Sequence, residues 1–222
     1  MKRALWRLLL TLRVRLLDRR RHHRLVLEQV DGVPLVVLPQ VFNPKLLRSG
    51  EFLVRQLTRG DLLRPSSRVL DLGSGSGAGA VAAARAGCHV VAVDINPDAV
   101  RCTRINALLN LVEHQVDPRQ GDLFAPVTGE RFDVVLFNPP YYRGTPRDEG
   151  DRAWRSPDVI ERFAAGLGEH LTPHGHALLV LSSDGESKGF LSALEARGFN
   201  NRPVAHRDFV NEQMWIYQVA RC

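Results

Sequence analysis

The chain has 222 residues, of which 44% are hydrophobic and 24% are charged, and its formal net charge is +6. It is long enough to bury a sizeable core without disulfides or a structural metal. Its three cysteines are odd in number and far apart, and neither they nor the eight histidines have the spacing of metal ligands. These features argue against a disulfide-rich secreted protein and against a metal site, and they favour a single globular domain in the cytoplasm.

The first forty residues are predicted to be an extension of a main domain that occupies residues 41–222. Residues 3–17 fit an imperfect amphipathic helix, and residues 19–24 form a cluster of four arginines and two histidines. This segment is predicted either to dock on the domain or to provide a basic surface that binds RNA or a ribosomal partner. Binding to a membrane surface is a further alternative. This segment is too short and too charged to span a bilayer. Residues 25–38 predict a hairpin.

A glycine-rich turn follows the first predicted strand of the main domain. Residues 68–72 form an apolar strand that contains Asp71, and an alanine-rich helix begins after the turn. Glycines supply the dihedral angles of a tight turn and let the backbone approach a ligand closely. The second strand, residues 88–94, ends at Asp94, at the distance from the turn where an acid binds ribose hydroxyls. The turn glycines of interest are Gly73, Gly75 and Gly77.

The glycine pattern by itself leaves two kinds of cofactor open. It fits a dinucleotide-binding turn, so a nicotinamide- or flavin-dependent oxidoreductase is an alternative. A methyl-donor nucleoside is favoured because Asp71 precedes the turn by two residues and because Asp122, with Leu123, follows a predicted third strand. Acids at the ends of three successive strands suit the amino group, the ribose and the adenine of one small nucleoside.

The tetrapeptide Asn138-Pro139-Pro140-Tyr141 follows an apolar run, residues 132–137, that predicts a fourth buried strand. Its prolines fix the backbone and remove N–H donors, so the Asn138 side chain and the Pro139 carbonyl become rigidly placed acceptors. Two such acceptors suit a planar NH2 group, because they orient its lone pair toward an electrophile. Tyr141 offers a flat face for stacking. The alternative interpretation is a proline-stiffened turn without a chemical role.

The remainder of the chain predicts a long loop and a regular succession of helices and strands. Residues 142–154 are polar and rich in glycine and proline, so they form either a substrate-selecting loop or a plain surface loop. Two strands at the C-terminus predict an antiparallel end to the sheet, which plain dinucleotide-binding folds lack. The other predicted elements are helices at 45–63, 157–171 and 189–197, a turn at 172–175, and strands at 177–181, 204–210 and 214–220.

The order of these sites resembles that of the class I S-adenosylmethionine-dependent methyltransferases. The resemblance implies a Rossmann-like α/β fold: a mostly parallel seven-stranded sheet with an antiparallel terminal strand and helices on both faces. It implies S-adenosyl-L-methionine as the cofactor and no metal. By this resemblance, the methionine moiety lies beside Asp71, Gly73, Gly75 and Gly77, the ribose beside Asp94 and Ile95, the adenine beside Asp122 and Leu123, and the acceptor beside Asn138, Pro139 and Tyr141. Asn138 is expected to contact the cofactor as well as the acceptor.

The segment from Pro39 to the C-terminus resembles the short HemK-like branch, related to the release-factor glutamine methyltransferases. The residues that carry this resemblance are the tetrapeptide, Ala153-Trp154 and the run at 158–163. It implies methylation of a glutamine side-chain amide in a translation-related protein. The first alternative is an RNA or DNA methyltransferase that acts on an exocyclic adenine or guanine amine. A small-molecule methyltransferase and a non-catalytic cofactor-binding module are further alternatives, and the oligomeric state is left open.

Overall fold

The computed structural model describes residues 24–45, 48–146, 155–209 and 212–222. The amphipathic helix predicted at residues 3–17 lies outside the described residues, as do almost all of the basic cluster and the second half of the predicted loop. Within the described ranges, no helix has the length and the apolar composition that a bilayer crossing requires.

A seven-stranded sheet forms the centre of the protein. Its strands lie in the order β10-β11-β9-β6-β3-β4-β5, and all neighbours are parallel except that β11 runs antiparallel to both β9 and β10. This arrangement confirms the predicted fold class. In chain order, the strands of the described residues are β1 (Val26–Val30), β2 (Val33–Val37), β3 (Arg68–Leu72), β4 (His89–Asp94), β5 (Val116–Gln120), β6 (Phe132–Phe137), β7 (Tyr142–Arg143), β8 (Arg155–Ser156), β9 (Leu171–Ser182), β10 (Phe199–Phe209) and β11 (Glu212–Arg221).

Helices cover both faces of this sheet, because the inner strands are apolar on both sides. Along β6, Val134 and Leu136 belong to one buried cluster, whereas Val135 and Phe137 belong to the other. The first cluster takes its helical residues from α1 (Ser49–Arg59), α2 (Ala78–Arg85) and α3 (Pro97–Leu109), and the second from α4 (Val159–His170) and α5 (Ser187–Glu195).

The predicted hairpin is present as the antiparallel pair β1 and β2. Its buried residues Val30, Val33 and Leu35 join the core cluster on the α1 and α2 side. The side-chain amide of Asn106, on α3, accepts the N–H of Val36 and donates to the Val36 carbonyl, both at 2.7 Å. The hairpin is therefore packed on the same core as the central sheet.

Several boundaries differ from the sequence predictions. α1 begins at Ser49 and ends at Arg59, and the N–H of Gly60 donates a hydrogen bond to the Gln56 carbonyl. β9 begins at Leu171, so the predicted turn at residues 172–175 is part of the strand. The β6–β9 register shifts there, between Phe132 and Val134 of β6. An added Cβ on Gly175 would lie 2.7 Å from the Phe132 carbonyl oxygen. Gly175 is therefore needed because two strands approach closely here. From sequence alone, a glycine in this context predicts a turn.

Candidate active site

A cleft of about 650 Å³ opens at the C-terminal ends of β3, β4, β5 and β6. Ligand sites in open α/β sheets lie at this edge. The structure brings most of the predicted site residues together around the cleft, whereas Asp71 and Gly77 lie outside its lining. The predicted residues that line the cleft are Gly73, Gly75, Asp94, Ile95, Asp122, Leu123, Asn138, Pro139 and Tyr141.

The three turn glycines all have left-handed backbone conformations, with φ values of +64° for Gly73, +55° for Gly75 and +78° for Gly77. This region favours glycine, because other residues place Cβ too close to the following carbonyl. A Cβ on Gly77 would lie 2.8 Å from the Thr103 side chain, whereas one on Gly73 would meet only Phe137, at 3.9 Å. Gly77 is therefore required for packing, and Gly73 leaves room for a ligand.

Asp71 lies beneath the N-terminus of α2 and is only 5% exposed. The Ala80 N–H donates to its carboxylate, and the helix dipole favours a negative charge at that position. The other oxygen, Oδ2, is buried and has no hydrogen-bond partner among the described residues. Burial raises the pKa of Asp71 to about 7, and the nearby Asp94 adds to the shift. This carboxylate therefore has one oxygen without a hydrogen-bond donor, and a cationic group nearby would stabilise its negative charge.

Asp94 joins the glycine turn to the end of β4. Its two carboxylate oxygens accept the N–H of Gly75 at 2.8 Å and the N–H of Asn96 at 2.9 Å. Burial raises the pKa of Asp94. The Ile95 N–H is also hydrogen-bonded to this carboxylate. An ionised carboxylate accepts about four hydrogen bonds, so one acceptor position is left for a hydroxyl group of a ligand. The Ile95 side chain, 41% exposed, lies next to it in the cleft.

Asp122 and Leu123 follow β5 at the far end of the cleft. Arg162, on α4, donates to Asp122 Oδ2 at 2.7 Å and also lines the cleft. Arg162 is not identifiable from sequence alone, because it lies forty residues from Asp122 on a helix with an ordinary polar face. The pair orients the Asp122 carboxylate and leaves its other oxygen for a ligand.

Asn138 is held from two sides at the end of β6. The Tyr141 hydroxyl donates to Asn138 Oδ1 at 2.7 Å, and Asn138 Nδ2 donates to the Ser49 hydroxyl at 3.2 Å. Burial raises the pKa of Tyr141 above its usual value, so the phenol stays protonated and remains a donor. The tyrosine therefore orients Asn138 through its hydroxyl, in addition to lining the cleft.

The segment before α1 also reaches the cleft. Phe42 lines it, and a Cβ on Gly75 would lie 3.2 Å from the Phe42 side chain. Sequence alone predicts no contact for this segment. The sequence signal that marks it is an aromatic residue followed by Asn43 and Pro44.

The site fits S-adenosylmethionine, the cofactor that the sequence resemblance implies. The Asp94 carboxylate suits its ribose hydroxyls, and the Gly73 backbone leaves room for close approach. The buried Asp71 carboxylate lies outside the cleft lining and adds negative charge near the turn, which favours an ammonium group there. Within the described residues, no cluster of three or more histidine, cysteine or acidic side chains is arranged to bind a metal ion.

Comparison with known proteins points the same way. A family model described as "Methyltransferase small domain" matches residues 32–204. A putative protein N5-glutamine methyltransferase of Methanocaldococcus jannaschii is 33% identical over 203 residues, which cover 87% of this chain and 98% of that protein. A release factor glutamine methyltransferase of Koribacter versatilis is 35% identical over 129 residues, which cover 51% of this chain and 45% of that protein. The match therefore spans less than half of the Koribacter protein.

A solved structure shares the fold over most of the chain. It is a chain of the E. cuniculi Mtq2–Trm112 complex, described as responsible for methylation of the translation termination factor eRF1. The two chains superpose with a TM-score of 0.60 and 25% sequence identity, over 82% of this chain and 99% of that one.

Proposed function

This chain belongs to the methyltransferase small domain family, and we propose that it methylates the side-chain amide of a glutamine in a translation-related protein. It is an S-adenosylmethionine-dependent enzyme, as its family and relatives indicate. The glutamine acceptor is supported by the names of the Methanocaldococcus and Koribacter relatives and by the acceptor groups at the end of β6.

The observation that carries this proposal is the arrangement at Asn138. Its side-chain oxygen takes one hydrogen bond from Tyr141 and has a second lone pair, and Pro139 follows with a backbone that donates no N–H. The Asn138 oxygen and the Pro139 carbonyl would accept the two hydrogens of a primary amide. The nitrogen lone pair then points out of the amide plane, which is the orientation that an in-line displacement requires.

We assign the other cleft residues to the cofactor. Bound S-adenosylmethionine supplies a methyl carbon activated by a positively charged sulfur. Asp71 would accept the ammonium group, Asp94 the ribose hydroxyls, and Asp122 the adenine amine. Gly73 and Gly75 would bring the backbone close to the methionine part, with Gly77 maintaining the turn. Ile95 and Leu123 would contact the ribose and the adenine through their apolar side chains.

Labelling of a cell lysate tests the acceptor class. The protein is incubated with methyl-labelled S-adenosylmethionine and lysate, and samples are treated with nuclease or with protease. We expect the label to survive nuclease and to appear as N5-methylglutamine in tryptic peptides. Label that is lost with nuclease, or found on an adenine or guanine amine, would refute the glutamine proposal in favour of a nucleic-acid substrate.

The Asn138→Ala variant tests the acceptor site. We expect turnover to fall by roughly 100-fold or more, because the amide loses one of its two orienting acceptors. Affinity for S-adenosylmethionine, measured by calorimetry, should stay within about twofold. A matched control is Asn201→Ala on β10, whose side chain bonds to Leu191 and Glu195. Unchanged turnover in the Asn138 variant would contradict the assignment.

We also propose that the basic cluster at residues 19–24 contacts RNA or a ribosomal partner. The support is its charge and the net charge of +6. Removal of residues 1–24 should weaken binding to ribosomal RNA and flatten the salt dependence of that binding, as measured by filter binding at several salt concentrations. Unchanged binding and salt dependence would contradict this proposal and indicate that the cluster has a structural role.

A further inference from the structure

Ser49 is the first residue of α1, and it contacts the acceptor site although it precedes Asn138 by 89 positions. The residue is only 1% exposed. Its hydroxyl accepts a hydrogen bond from Asn138 Nδ2 at 3.2 Å and is also hydrogen-bonded to Tyr141. Ser49, Asn138 and Tyr141 therefore form one closed set of hydrogen bonds beside the cleft.

The two ends of an asparagine amide have nearly the same shape and opposite hydrogen-bonding character. An oxygen that faces the cleft accepts hydrogens from a substrate NH2 group, whereas a nitrogen in that place would repel them. In the structure, the Ser49 hydroxyl accepts a hydrogen bond from the Asn138 side-chain nitrogen, and the Tyr141 hydroxyl donates one to the Asn138 side-chain oxygen. One lone pair of the Asn138 oxygen is thereby left for the cleft.

The start of α1 is tightly packed against the segment that precedes it. A Cβ on Gly50 would lie 2.6 Å from the Pro44 side chain, and the Glu51 N–H donates to the Pro44 carbonyl at 3.1 Å. Arg48, immediately before the helix, has a φ of +33°, in the left-handed region that non-glycine residues rarely adopt. Such close packing keeps the Ser49 hydroxyl at a defined distance from β6.

We propose that Ser49 is a positioning residue for methyl transfer, which holds the Asn138 amide with its oxygen toward the acceptor. This inference rests on the proposed function, because it assigns Asn138 to the acceptor nitrogen. Ser49 acts through Asn138 and lies outside the cleft lining. Its loss should therefore slow transfer and leave cofactor binding intact.

Three substitutions of Ser49 and one control separate orientation from stability. Ser49→Ala and Ser49→Cys remove the hydroxyl, and sulfur is only a weak acceptor, whereas Ser49→Thr keeps the hydroxyl. The control is Thr58→Ala, near the end of the same helix, which loses a side-chain hydrogen bond to Asp31. Each variant is assayed for turnover number, for KM of the acceptor and for affinity toward S-adenosylmethionine. Circular dichroism and thermal melting verify the fold.

The turnover numbers of the Ala and Cys variants should fall roughly 10-fold to 100-fold, with cofactor affinity within about twofold of wild type. The Thr variant should retain at least half of the wild-type turnover number, and the Thr58 control should match wild type. A folded Ala or Cys variant with wild-type turnover would overturn the inference.

Failure of the proposed function gives a different result. In that case wild-type protein places the label on an acceptor other than glutamine. The Ser49 variants are then compared on that acceptor, with the same expected loss.

Discussion

Replacement of Asp71 by asparagine is expected to stabilise the protein and to weaken cofactor binding. The carboxyl is buried, one of its oxygens has no partner among the described residues, and its pKa is raised from 3.8 to about 7. A shift of this size corresponds to about 4 kcal/mol of lost stability at a pH above both values. Asparagine keeps an oxygen for the Ala80 N–H and removes the buried charge. The variant should therefore gain stability at pH 8, by less than this amount because its NH2 group replaces Oδ2 at a buried position, which costs about 1–3 kcal/mol.

The sign of the pH dependence follows from the direction of the shift. Because the folded pKa of Asp71 lies above the unfolded value, its contribution to stability is fully present below pH 3.8 and is lost as the pH rises through about 7. The asparagine side chain of the variant does not titrate. The advantage of Asp71→Asn over wild type should grow by about 2–3 kcal/mol between pH 5 and pH 8.

Urea denaturation of the cofactor-free protein at these two pH values measures the effect. Asp31→Asn is the matched control: hydrogen bonds from Thr58 and Arg59 lower the Asp31 pKa, so both pH values lie above its titration. Its difference from wild type should be nearly the same at pH 5 and pH 8. An Asp71→Asn variant whose stability relative to wild type does not rise with pH would refute the reasoning. Calorimetry should show roughly 10-fold to 100-fold weaker binding of S-adenosylmethionine at pH 8, since the loss of a charged hydrogen bond costs about 1.5–3 kcal/mol.

Three further substitutions and one control test the packing and the cofactor contacts. Gly77→Ala should cost about 2–5 kcal/mol, because it combines a left-handed φ with overlap on Thr103. Its control, Gly129→Ala, has a similar φ and open space around it, and should cost only about 1–2 kcal/mol in the same urea denaturation. Phe163→Ala should lower the free energy of unfolding by about 3–5 kcal/mol, because this fully buried ring contacts Phe137. Asp94→Ala should weaken S-adenosylmethionine binding by roughly 10-fold to 100-fold in calorimetry, and unchanged affinity would contradict its assignment to the ribose.

The part of the cleft that we assign to the cofactor is the part whose assembly local sequence predicts well. Gly73, Gly75 and Gly77 follow β3 directly, and Asp94 and Asp122 each lie at or just after the end of a parallel strand. Parallel strands bring their C-terminal ends to one edge, so residues that follow the strands meet there without further information. Element boundaries were less predictable. The close approach at Gly175 resembles a turn in sequence, yet β9 continues through it because the strand pairs with β6 and β11.

The acceptor half depends on contacts between distant segments. Asn138, Pro139 and Tyr141 were recognisable because two prolines and an aromatic residue follow a strand directly. Ser49 carries no such local signal, because its role arises only when α1 packs across the sheet and brings its hydroxyl to Asn138. The two halves should therefore respond differently to change: loosened packing of α1 should impair methyl transfer before it impairs cofactor binding. We expect the affinity for S-adenosylmethionine to depend instead on the ends of β3, β4 and β5, which lie in the parallel part of the sheet.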